Sequence, residues 1–77
     1  MKISFDKIAN ALYLRFSHDD MKISEEIIKG IIIDYGKNKT IIGIEILNFL
    51  DKNIDLNEII KLDPEEIIFK VVQWQKN

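Results

Sequence analysis

The chain begins with strict alternation. Lys2-Ile3-Ser4-Phe5-Asp6 places apolar residues at every second position, the period of a half-buried strand. Turn-forming Asp6 and Asn10 interrupt it, and Leu12, Leu14 and Phe16 then resume it with Tyr13 and Arg15 on the opposite face. This pattern predicts a hairpin over 2–6 and 11–16 with a loop of about five residues. Ser17 to Asp20 reads as a polar loop. Lys22 to Ile28 reads as a short strand, because Lys29-Gly30 would cut any helix opened at Ser24 after one turn.

Residues 31–35 and 41–46 are β-branched runs around Gly36-Lys37-Asn38-Lys39-Thr40, a polar link tolerant of φ > 0. They predict a second hairpin. Their apolar content suggests central strands covered on at least part of both faces. Gly43 in mid-strand removes a side chain and invites close approach by a ring or a helix.

Beyond residue 50 the signals become helical. Asp55-Leu56-Asn57-Glu58 has capping-box spacing, with Leu56, Ile59 and Ile60 on one face. Asp63-Pro64-Glu65-Glu66 repeats it with proline at the first helical position and two acids at the positive end of the dipole. Leu62 and Ile67 occupy staple positions around that cap. Ile67, Ile68, Val71 and Val72 continue a helical stripe. The same residues favour strands by propensity, so 64–75 is open to both readings, and the local cap chemistry favours helix. Strands followed by helices imply an α+β domain: an antiparallel sheet of four to five strands with C-terminal helices on one face.

Composition narrows the classes. Seventy-seven residues without internal repeats or linkers make one domain, and 47% hydrophobic residues supply a core. Without cysteine, neither disulfides nor thiolate metal sites brace it, so packing and self-association remain. A net charge of −2, scattered lysines and a single arginine, Arg15, argue against nucleic-acid binding. No apolar run is long enough to cross a bilayer and no signal peptide is visible, so a cytoplasmic location is expected. Heavy use of Ile, Lys and Glu is compatible with a thermostable protein and equally with an AT-rich genome.

The elements Met1-Lys2-Ile3-Ser4-Phe5-Asp6, Ala9-Asn10-Ala11-Leu12-Tyr13-Leu14-Arg15, Ile33-Asp34-Tyr35 and Ile42-Gly43-Ile44-Glu45-Ile46-Leu47 resemble the YuzE-like family. This is a bacterial and archaeal family of small proteins, a domain of unknown function, and the resemblance covers about residues 1–50. It differs at Asn10, where the family usually has Asp, and at Lys39, where its hairpin loop usually has Gly. The second difference implies a strained or rearranged loop, since a non-glycine residue at φ > 0 is uncommon. The resemblance implies a non-enzymatic role. By analogy with members encoded beside small toxin-like proteins, it implies an antitoxin-like partner role.

Candidate chemistry is sparse. Asp34 and Glu45 would sit opposite or diagonal across the second hairpin. Acid–base hydrolysis would need their pKa values pushed apart in a concave pocket, with Asp6 or Asn10 assisting. The plainer reading makes them solubilising acids opposite Arg15 or a lysine. His18 with Asp19 and Asp20 offers at most weak metal binding, so no metal site is expected. Ser4, Ser17 and Ser24 lack the base geometry of a triad, and no phosphate-cradling glycine motif occurs, so no cofactor is expected. Tyr13 and Arg15 form a candidate interaction surface, against the plainer reading of the solvent side of an edge strand. Trp74 implies either packing on its own domain or an interface. A non-enzymatic module that self-associates or binds a small protein is the leading expectation. A small carboxylate-based hydrolase or ligand-binding protein using Asp34 and Glu45 is the alternative.

Overall fold

A computed structural model describes residues 1–76, with side chains through Trp74. Five strands, β1 (Lys2–Asp6), β2 (Ala11–Arg15), β3 (Ile23–Ile28), β4 (Ile31–Tyr35) and β5 (Ile41–Leu47), form one open antiparallel sheet in the order β1-β2-β5-β4-β3. Two helices follow, α1 (Leu56–Ile59) and α2 (Pro64–Lys76). The fold is α+β. The expected hairpins are β1/β2 and β4/β5, and the short segment before Gly30 is a genuine strand. Residues 64–75, for which propensity left a strand open, are helical and lie within α2.

Local chemistry explains these boundaries. Asp6 Oδ1 accepts from the amides of Ile8 and Ala9 at 3.0 and 3.1 Å, closing the first turn. Gly30, at φ +83°, closes the two-residue β3/β4 turn, and its amide donates to Glu26 Oε2 at 2.8 Å. Asp55 caps α1 by accepting from the Asn57 amide at 2.9 Å. At α2 the Glu66 carboxylate reaches back to the Asp63 amide at 3.0 Å, the reciprocal half of a capping box. The cap favours helix over strand propensity because it satisfies backbone groups at the helix start from within the segment itself.

The sheet's alternation decides where the core lies. Leu12, Leu14, Ile31, Ile33, Ile44 and Ile46 point to one face and are fully buried with Ile59, Ile67 and Val71 from the helices. Leu62, at its staple position, and Trp74 pack against the same cluster. The expectation that β4 and β5 are covered on at least part of both faces holds, with unequal cover on the two sides. Both strands are interior, but the helices pack on one face only. An antiparallel sheet tolerates a helix-free face, and there Ile32 is half-buried beside its cross-strand neighbour Glu45.

Among the described residues four asparagines, Asn10, Asn38, Asn48 and Asn53, carry the unusual backbone of the turns. Asn10, at φ +53°, accepts the Leu50 amide on its side chain and the Phe49 amide on its carbonyl, both at 3.0 Å. This joins the first hairpin to the 3₁₀ turn Phe49–Asp51. Asn48, at φ +54°, opens that turn. Asparagine visits this region at low cost, whereas lysine does not. Lys39 nevertheless stands at φ +60°, the strained outcome of the two that the resemblance implied. Lys39→Gly is expected to raise stability by about 0.5–1 kcal/mol, the left-handed penalty less the entropy glycine adds to the unfolded chain. The midpoint of thermal unfolding should rise by several degrees, and a fall would refute strain at this position.

Candidate functional site

The helix-free face of the sheet carries most of the polar residues singled out from sequence. Cross-strand register arranges them in rows. One row runs Lys2, Arg15, Gly43, Asp34, Ser24 from β1 to β3, and the next runs Ser4, Tyr13, Glu45, Ile32, Glu26. Asp34 and Glu45 are thus diagonal neighbours on one face. Arg15 stands opposite Gly43 and Tyr13 opposite Glu45, so neither acid has the directly opposed cation of the plainer reading.

Gly43 determines what happens at the centre. The Tyr13 ring leans over the bare glycine and its hydroxyl donates to Asp34 Oδ2 at 2.7 Å. A β-carbon added at Gly43 would lie 2.1 Å from the Tyr13 oxygen and 2.5 Å from Cζ. The close approach expected at this glycine is therefore made by a ring from the adjacent strand. On its other side Asp34 accepts from the Ser24 hydroxyl through Oδ1. The Arg15 guanidinium lies 5.8 Å from the Tyr13 ring centroid and donates to the Ser17 carbonyl at 3.2 Å.

Burial raises the Tyr13 phenol to about 12, with the hydrogen bond to Asp34 and the negative charge of that carboxylate adding to it. Arg15 pulls the other way and Glu45 adds a smaller push upward. The folded state therefore holds the neutral phenol beyond the pH at which the unfolded chain ionises it. Its contribution is intact below pH 10 and is lost as pH climbs from 10 through 12. Full conversion would give ~2.7 kcal/mol, and partial solvent exposure reduces this to roughly 1–2 kcal/mol. Ultraviolet titration of the folded protein should show one tyrosine ionising near pH 12 that disappears in Tyr13→Phe. A Tyr13 ionisation at the ordinary phenol value would overturn the buried hydrogen bond.

Chemically, this cluster is a brace. Asp34 is half-buried and each of its oxygens accepts a hydroxyl hydrogen, from Tyr13 on one side and Ser24 on the other. Of the residues in the alternative reading, Asp34 and Glu45 share this face and the assisting pair is engaged elsewhere. Asp6 closes its own turn, and Asn10 faces the 3₁₀ turn, with its side-chain amide donating to Asp51 at 3.3 Å. His18, Asp19 and Asp20 are exposed in the loop after β2, where the Asp19 amide donates to Ser17 Oγ at 3.0 Å. Among the described residues no group of three or more His, Cys, Asp or Glu side chains gathers as a metal site.

The proposed recognition pair sits differently from its sequence reading. Tyr13 and Arg15 share a face, but β2 lies between β1 and β5 and is not an edge strand. Trp74 is half-buried against the core, with Lys70 Nζ 5.9 Å from its ring centroid. Sequence reasoning did not identify Ser24 as a partner of Asp34, because that pairing depends on the register of β3. The usable signal was the Lys29-Gly30 turn, which places β3 directly beside β4.

Among the described residues, no helix is long and apolar enough to cross a membrane. Searches of curated proteins and of solved structures give no match. A family model does match, over residues 2–49, which include all five strands and the Tyr13–Asp34–Ser24 brace. This is more than half of the chain. The chain accordingly belongs to the family described as Protein of unknown function (DUF2283).

Proposed function

We propose that this protein is a YuzE-like, cytoplasmic, non-catalytic interaction module that works by self-association. The observation that carries the reading is the state of β1. All five of its residues are exposed although two of them, Ile3 and Phe5, belong to the core-side face of the sheet. An edge strand with unpaired backbone groups and exposed apolar side chains is a template for another strand. The helices leave this edge uncovered, and the polar face beside it is held in place by hydrogen bonds among its own side chains.

Self-association is favoured over capture of a small toxin-like protein because β1 is complementary to itself in charge. Sedimentation velocity from low to high micromolar concentration tests the reading. A rise from monomer to about twice the monomer mass is expected. A strictly monomeric protein at several hundred micromolar would leave it without support.

A further inference from the structure

We infer that two copies join through β1, antiparallel and centred on Ser4, to make one continuous ten-stranded sheet. The inference rests on the self-association just proposed and adds its geometry. Laid antiparallel on a second copy, Lys2-Ile3-Ser4-Phe5-Asp6 sets each Lys2 opposite Asp6, each Ile3 opposite Phe5, and Ser4 opposite Ser4. Opposite charges meet at both ends and apolar side chains meet between them, the combination that stabilises cross-strand pairs.

The surroundings of β1 suit this partner. Ile3 and Phe5 are 40% and 37% exposed, and the Phe5 ring makes an edge contact with Phe49 at 6.1 Å between centroids. Pairing would extend the apolar margin of one core through Phe5 and Ile3 into that of the other. Lys2 pairs with Arg15 inside its own sheet, a like-charge juxtaposition that an acid on its open side would relieve. Asp6 can supply that acid. Its bonds to the turn amides both use Oδ1, so neither turn amide occupies Oδ2.

The opposite edge is built against the same use. Antiparallel self-pairing of β3 about its middle would set Glu25 and Glu26 against their copies. Its register also shifts between Glu26 and Ile28, a bulge that distorts the edge. One self-complementary edge and one self-repelling edge give a closed two-fold dimer, where two sticky edges would give a filament.

The absence of native cysteine makes the register testable. Directly opposed residues in an antiparallel pair have Cα atoms ~4.5–5.5 Å apart, within disulfide range. Ser4→Cys should therefore oxidise to a covalent dimer in most molecules at concentrations where wild type is dimeric. Glu25→Cys on β3 should cross-link several-fold less. Lys2→Glu, at an exposed position, should fold normally by circular dichroism and dimerise about tenfold more weakly, because two attractive pairs become repulsive. Wild-type dimers with Ser4→Cys uncoupled, or with Glu25→Cys coupled equally well, would overturn the β1 geometry and leave self-association standing. Open-ended polymers would overturn the closed dimer. A monomeric wild type would remove both.

Discussion

Ile44→Ala is expected to destabilise the protein by about 3–4 kcal/mol, a large part of the ~5–10 kcal/mol that a domain of this size holds. Ile44 is completely buried in β5, the middle strand of the sheet, and pairs with Leu14 on one side and Ile33 on the other. Both neighbours are themselves fully buried on the helix-covered face. Truncation would open a void at the centre of the single core, where sheet and helices are held on every side and collapse poorly. Urea unfolding should show a lower midpoint with an unchanged slope. Ile32→Ala is the control: one residue along β4, on the helix-free face and only half-buried, it should cost about 1–1.5 kcal/mol. Equal losses at the two positions would refute a core confined to one face.

That contrast also shows which parts of the fold were readable from sequence. Alternation at Leu12 and Leu14 marks an inward face directly, because period 2 leaves no other arrangement for a strand. The run Ile31-Ile32-Ile33 carries no such mark. Three isoleucines in a row fit a strand buried on both faces as well as one buried on one face, and only the position of the helices decides. The C-terminal helix was recoverable because Asp63, Pro64 and Glu66 announce its start within four residues. Lys39 was flagged only through the family resemblance, which usually has glycine at that place in the loop, and local pattern alone did not mark it.

The candidate site divides along the same line. Asp34 and Glu45 were visible as a pair because both lie near one hairpin loop, whose length nearly fixes their register. Their real partners come from elsewhere in the chain. Tyr13 belongs to β2 and Ser24 to β3, strands that flank the hairpin on opposite sides. Sheet order places them there, and sheet order depends on long-range pairing that no local pattern encodes. A carboxylate that looked available for chemistry is therefore occupied by hydroxyl groups 21 and 10 residues away in sequence. Gly43 was the one local clue, since a bare backbone position amid isoleucines signals a large neighbour.

Gly43→Ala tests that brace most directly, with an expected loss of about 1–3 kcal/mol. Alanine normally gains ~0.5–1 kcal/mol over glycine in a strand, so destabilisation here must come from a specific clash. The new methyl would lie 2.1 Å from the Tyr13 hydroxyl oxygen and 3.0 Å from the Leu14 carbonyl. The backbone of β2 cannot retreat without breaking its ladder, so the ring must swing away. Its hydrogen bond to Asp34 goes with it, worth ~1.5–3 kcal/mol for a charged acceptor. The Tyr13 ionisation should then fall from about 12 toward 10 in the folded variant. Removing the ring first should remove the penalty. In a Tyr13→Ala background, Gly43→Ala should be neutral or mildly stabilising, giving a coupling energy above ~1 kcal/mol in the double-mutant cycle. Additive effects would mean that the ring and the glycine are unconnected, and the outer face would lose the feature that fixes Asp34 in place.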